Sequence, residues 1–256
     1  MKTAEAKDGI EKLFNLSCSL RDGKTDYSSY RHDVPEAVRK FLDLERLYFL
    51  KKEYAGSAEI EKTFLRKNDL LNLVEKHPQE AAALKANAKK PFLTESEFSA
   101  FVPKETECIG KIIVHERDSY EALKALTPPV IKRGLVLTDP SYETAEDYSK
   151  VKETLSLVHK KWNTAVIAVW YPLLTTKQHL LTQMLVGLED EAKLGANPCD
   201  CMKVEFCAKE AGFADGLPDG ESKAHMYGSG MFVINPPWQL KEQMDSVVEY
   251  LNCMKE

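Results

Sequence analysis

Hydrophobic positions change their spacing near residue 56. Before it, Ile10, Leu13 and Phe14 sit at helical spacing. The stretch "EAVRKFLDLERLYFLKK" carries Val38, Phe41, Leu42, Leu44, Leu47 and Leu50 along one broad face, so residues 1–53 read as a helical segment. Leu16, Cys18 and Leu20 also alternate as a strand would, but a helix is the better fit, and "RDGKTDYSS" between the two patterns reads as a loop. Beyond Gly56 short apolar runs alternate with helical patterns. Ser57, with Glu59 in the next turn, reads as a capping-box helix start. Strands are predicted at 70–74, 111–114, 135–138 and 165–170. Helical stretches lie between them near "PQEAAALKANAK", "SYEALKAL", "TAEDYSKVKETLSLVHKKW" and "TTKQHLLTQMLVGLEDEAK". Two later strands, "CMKVEFC" and "GMFVINPP", have only a loop between them, which predicts an antiparallel ending before the last helix, "LKEQMDSVVEYLNCMKE".

Repeated strand–helix units with continuous apolar strands predict an α/β fold, a mostly parallel sheet covered on both faces over residues 54–256. Ligands of such sheets sit beyond the carboxyl ends of the strands. The polar residues expected there are Glu75, Asp118, Asp139 and Tyr171. An acid at a strand end also caps the helix that follows, and that reading stands beside the chemical one.

The totals narrow this picture. With 256 residues, 43% hydrophobic and 29% charged, the chain is globular and long enough for one large core. No apolar run approaches the roughly 20 residues of a membrane span, and the mixed acids and bases of "MKTAEAKDGIEK" form no secretory signal. A cytoplasmic protein with no membrane partner is expected. Six cysteines occur, and "CDCMKVEFC" with His225 invites a metal reading. Zinc cysteines pair across two to four residues, whereas a single residue separates Cys199 from Cys201, so reduced thiols and no metal are expected. The net charge of −5 argues against a uniformly basic nucleic-acid binder, though a local patch is enough for phosphate contact. Basic candidates are Lys132 and Arg133, read as lying beside Asp139, with Lys160 and Lys161.

"RGLVLTDPSYE" poses the chemical question: three apolar residues run from a glycine into Asp139-Pro140-Ser141-Tyr142. The exocyclic amine of adenine is a weak nucleophile, because its lone pair is delocalised into the ring. A carboxylate and a backbone carbonyl, each accepting one N–H, return density to the nitrogen, and an aromatic ring can stack on the flipped-out base. Positioning and electrostatics then suffice. The stretch resembles the Asp-Pro-Pro-Tyr motif of adenine-N6 methyltransferases. With "YAGS", "LVEKHP", "AVWYPLL" and "GSGMFVINPPW" in order, the chain from Tyr54 onward resembles the RlmJ-type large-subunit ribosomal RNA adenine-N6 methyltransferases.

That resemblance implies a Rossmann-like class I methyltransferase sheet using S-adenosylmethionine, with large-subunit ribosomal RNA as partner. It implies Asp139, Pro140 and Tyr142 at the target base, Glu75 on the cofactor ribose, Asp118 on its adenine amine, and Tyr54, Gly56 and Ser57 near the cofactor. His77 and Pro78 match the family's residues after the ribose acid. "NPPW", 235–238, looks like a second catalytic motif but reads as structural, a strand end with proline in the next helical turn. Residues 1–53 resemble the family's inserted helical subdomain. Ser141 replaces the family's second proline and loosens the turn. The family opens with a strand and a Gly-rich turn under the cofactor, whereas only Gly9 and Gly23 occur in the first 50 residues and neither follows a strand pattern. The second and fourth strands of these 256 residues are therefore expected to lack a shared neighbour, unless another segment or chain fills the gap, and weak cofactor binding or none, without detectable turnover, is expected. The alternatives are a decayed relative that binds RNA or the ribosome, and a domain with another small-molecule role.

Overall fold

The computed structural model of the chain describes residues 4–49, 51–88, 110–209 and 225–254. Their elements run α1 (Ala4–Ser17), β1 (Cys18–Arg21), β2 (Lys24–Tyr30), α2 (Glu36–Phe49), α3 (Ser57–Thr63), β3 (Leu70–Glu75), α4 (Pro78–Ala88), β4 (Lys111–Glu116) and α5 (Ser119–Leu126). Then follow β5 (Leu135–Thr138), α6 (Ala145–Lys161), β6 (Val166–Leu174), α7 (Gln178–Leu194), β7 (Cys201–Cys207), β8 (Met226–Ile234) and α8 (Leu240–Cys253). They group into two compact units, Met1–Ser119 and Tyr120–Glu256, a boundary inside the α/β part and not near residue 53.

The opening of the first unit is not wholly helical. Helix α1 stops at Ser17, and β1 pairs antiparallel with β2 through Leu20↔Thr25 and Arg21↔Lys24. Asp22 (φ 53°) and Gly23 (φ 74°) both take left-handed backbone, and a two-residue turn of that kind matches the twist of a hairpin. The loop expected over "RDGKTDYSS" is therefore a hairpin turn with most of a strand. Phe14, fully buried, packs against Tyr27 and Phe49, with ring centroids 5.6 and 5.0 Å away, and so joins α1, β2 and α2. Helix α3 begins at Ser57 as expected, but the cap is Gly56 in extended backbone, with no side-chain capping bond. Glu59 instead accepts from the Tyr48 hydroxyl (3.3 Å) and pairs with Lys62 (3.4 Å). Strands β3 and β4 pair in parallel from Leu70↔Lys111 to Glu75↔Glu116. No residue of either strand is buried.

The second unit is built on a four-stranded sheet in the order β5-β6-β8-β7. Strand β6 runs parallel to β5 and antiparallel to β8, which runs antiparallel to β7, so the antiparallel ending is as the sequence predicts. Among the described residues no strand pairs β3 with β5 or β6, and the parallel strands fall into two sheets. On one face Ile167, Val169 and Leu173 of β6 meet Val151, Leu155 and Val158 of α6 and Leu181, Met184 and Leu188 of α7. On the other, Ala168, Met202 and Val233 lie under Leu240 and Met244 of α8. Asp147 reaches back to accept from the Thr144 amide (2.8 Å), fixing the start of α6. Strand β6 extends four residues past 170, so Tyr171 is inside the strand, not at its end. Its ring is buried and its hydroxyl donates to Glu205 (3.0 Å). Gly230, opposite it in register, leaves the room: a Cβ there would sit 2.3 Å from the tyrosine ring.

Candidate active site

The parallel register of β3 and β4 brings two of the expected acids to one place. Glu75 ends β3 and Asp118 follows β4 by two residues, at the same end of the pair. The Arg117 amide donates to the Glu75 carbonyl (3.1 Å), tying the two strand ends together. Glu75 Oε1 accepts the His77 amide (2.7 Å) just before α4, and Lys76 Nζ pairs with Asp118 Oδ2 (3.3 Å). Glu75 thus fixes the residue before α4, without reaching an amide of the helix itself, and keeps Oε2 for another donor. His77 and Pro78 lead into α4, which begins at Pro78.

Tyr54, Gly56 and Ser57 lie in the connection from α2 to α3 in the same unit, all three exposed. This segment is held from beneath by Glu45, a fully buried side chain of α2 whose Oε2 accepts the Ala55 amide (3.2 Å). Glu45 Oε1 has no hydrogen-bond partner, and burial pushes the carboxyl up to about 7. Sequence reading passed over Glu45. Its position beside Leu44, on the apolar face of α2, is the signal that was there to find.

Asp139 follows Thr138 at the carboxyl end of β5 in the second unit, exposed, as a strand-end reading requires. Pro140 is half-buried and Ser141 exposed. Tyr142 departs from expectation. It takes left-handed backbone (φ 54°), and its side chain is turned inward, only 1% exposed. The hydroxyl donates to the Trp170 carbonyl (2.9 Å), and the ring lies 4.8 Å from that of Tyr148. In this conformation the ring is not presented for stacking on a base. Burial, with Tyr120 and Tyr148 nearby, drives its ionisation far above the ordinary tyrosine range, so the hydroxyl remains a donor. Lys177, itself in left-handed backbone, donates to the carbonyls of Tyr142 and Glu143. The turn after Asp139 is therefore pinned by one buried hydroxyl and one ammonium. No spacing in the sequence points to Lys177, which lies 35 residues beyond Tyr142.

Lys132 and Arg133 precede β5 and so stand at the opposite end of that strand from Asp139, not beside it. The "NPPW" segment is also at that far end. Asn235 Nδ2 donates to the carbonyls of Asn163 (2.8 Å) and Ala165 (2.9 Å), a structural tie that fits the structural reading. Cys199 lies 3.4 Å from His159 Nε2, and Cys207 is exposed on β7. Among the described residues no group of three or more His, Cys, Asp or Glu is arranged to hold a metal ion, and no helix is long and apolar enough to cross a membrane.

A mixed α/β architecture with parallel strand–helix units and an antiparallel ending is that of a Rossmann-like class I methyltransferase. The family is specific: the chain belongs to the one described as ribosomal RNA large subunit methyltransferase D, RlmJ, whose model matches residues 2–255. It is 31% identical over 223 residues to ribosomal RNA large subunit methyltransferase J of Escherichia coli, covering 86% of this chain and 68% of that protein. It is 30% identical over 254 residues to the protein of the same name from Haemophilus influenzae, covering 98% of this chain and 73% of the relative. Among solved structures, protein LPL1258 of Legionella pneumophila superposes with a TM-score of 0.69 at 25% identity, over 99% of this chain and 78% of that one.

Proposed function

We propose that the chain methylates the N6 amine of an adenine in large-subunit ribosomal RNA, with S-adenosylmethionine as methyl donor. The observation that carries this reading is Asp139, an exposed carboxylate at the carboxyl end of a parallel strand, followed by Pro140 in a turn pinned by Tyr142 and Lys177. Adjacent acids at the ends of β3 and β4 suit the donor's polar half. Glu75 Oε2 can accept from a ribose hydroxyl and Asp118 from an adenine amine, both being acceptor-only groups when ionised. The bound donor supplies an electrophilic methyl group on a sulfonium. Asp139 would accept one N–H of the target amine and the Pro140 carbonyl the other, directing the nitrogen lone pair outward for in-line attack. The amine proton released on transfer would pass to water, which reaches Asp139 because that carboxylate is exposed.

A second reading has its own support. The inward Tyr142 and Ser141 in place of a proline favour a relative that contacts RNA without turnover. Labelled methyl transfer to unmodified ribosomal RNA, with calorimetric titration of the donor, separates them. Asp139→Ala is expected to abolish transfer while sparing donor binding. Transfer that survives Asp139→Ala sinks the site, and RNA binding with no transfer by the unaltered chain selects the second reading.

A further inference from the structure

At the end of the second unit's sheet opposite Asp139, three loops meet: 127–134 before β5, 162–165 before β6, and 235–239 after β8. They are tied to one another. The Val166 amide donates to the Gly134 carbonyl (3.0 Å), and Thr164 Oγ1 to the Lys132 carbonyl (2.9 Å). Asn235 Nδ2 bridges the carbonyls of Asn163 and Ala165. Gly134 packs against the buried Trp162: a Cβ there would come 3.0 Å from the indole, tighter than an ordinary contact. The loops thus form a fixed platform.

What the platform carries is unusual for a chain of net charge −5. Trp238 is 87% exposed, and Ile131 and Val130 are 74% and 102% exposed. Lys132, Arg133 and Lys161 are exposed, and among the described residues none of them makes an ion pair, while Lys160 is held by Glu191 (3.1 Å). No Asp or Glu occurs in 127–134, 159–165 or 235–239. The acids around them are Glu191, which pairs with Lys160, Glu242 in the first turn of α8, and Asp200, whose backbone carbonyl accepts the Asn235 amide (2.9 Å). Strands β5 and β8 flank β6, so the basic loop and the tryptophan loop stand about two strand spacings, roughly 10 Å, apart.

We infer that this platform is a second RNA-contact surface, which stacks an unpaired base on Trp238 and holds the flanking phosphates with Lys132, Arg133 and Lys161. A bare indole is a stacking surface that accepts any base, and uncompensated cations beside it supply the backbone attraction. Lysine is depleted at protein–protein interfaces, and the two free lysines of the platform, Lys132 and Lys161, disfavour a protein partner here. The inference rests on the reading that the substrate is RNA, but not on methyl transfer. It gives a large RNA two separate holds, one at each end of the same sheet.

The experiment is a fluorescence titration of the full chain with a single-stranded oligoribonucleotide of about twelve nucleotides, within the site size of such surfaces, and no methyl donor. Of the three tryptophans, Trp162 is buried and Trp170 partly so, and quenching of the exposed emission reports on Trp238. Trp238→Ala is expected to weaken binding roughly tenfold, followed by anisotropy of labelled RNA. The Lys132→Glu/Arg133→Glu double variant should weaken it further and flatten the salt dependence by between one and two in log–log slope. RNA binding indifferent to these variants overturns the surface and leaves the proposed function standing. Absence of any RNA binding by the unaltered chain removes both. Concentration-dependent self-association lost in Trp238→Ala would assign the platform to a second copy of the chain instead.

Discussion

The strands "VIAVWYPLL" and "LLNLVE" are both apolar in sequence and both lie in parallel pairs, yet their surroundings differ. Six of the nine residues of β6 are buried, and none of the six of β3. Strand β6 has a neighbour on each side and a helical layer on each face, with Leu188 of α7 on one and Leu240 of α8 on the other. Strand β3 is paired on one side, by β4, and Leu70 is half exposed. Apolar composition therefore states a strand's demand for cover. The number of neighbours in the sheet decides how far that demand is met, and each fully covered aliphatic side chain gains about 1.5–3 kcal/mol over an exposed one.

That contrast can be broken at several depths. The largest effect is expected from Leu188→Ala, which empties a fully buried position of the second unit and should cost about 3 kcal/mol. All three tryptophans lie in Tyr120–Glu256, so the denaturant midpoint read by their emission belongs to that unit. Next is Glu45 in the first unit, whose ordinary value is 4.5 and whose folded value is raised to about 7. Between those limits the unfolded chain gives up a proton that the folded chain keeps. The Glu45 contribution is thus full below pH 4.5, declines as pH rises through the window, and is flat above 7. The decline should be on the order of 3 kcal/mol. Circular dichroism melts of Glu45→Gln should lose this slope, and an unchanged slope would assign it to another group. The smallest effect is expected from Leu71→Ala on β3, below about 1 kcal/mol, as befits a partly covered position. If it costs as much as Leu188→Ala, the contrast between the two strands fails.

Much of the α/β alternation was legible because it rests on period alone: the strand at Leu135–Thr138 and the helices around Leu155 and Leu188 fall where their apolar spacing predicts. The hairpin at β1 and β2 was missed because β2, "KTDYSSY", has no apolar alternation. Its evidence was the Asp22-Gly23 turn, read as loop composition. Of the candidate site, the ends of β3, β4 and β5 could be read from where apolar runs stop, which placed Glu75, Asp118 and Asp139. The direction of Tyr142 could not. A left-handed backbone at that residue turns the ring toward Trp170 and Tyr148, and these partners come together only in the folded chain. Lys132 and Arg133 were misplaced for a simpler reason: nearness in sequence to Asp139 hides the length of a strand between them.

Tyr171, Glu205 and Gly230 occupy three neighbouring strands, and each limits what its neighbours can become. No side chain fits at 230 while a tyrosine stands at 171, and the phenol in turn donates to the Glu205 carboxylate, which Lys203 also pairs (3.3 Å). In a lineage of such proteins the three positions should change together or not at all. An alanine at 230 would be admitted only where residue 171 had already shrunk, and that change would first release the acid at 205 to drift. The order of substitution is thereby constrained, with the tyrosine as the first step and the glycine as the last.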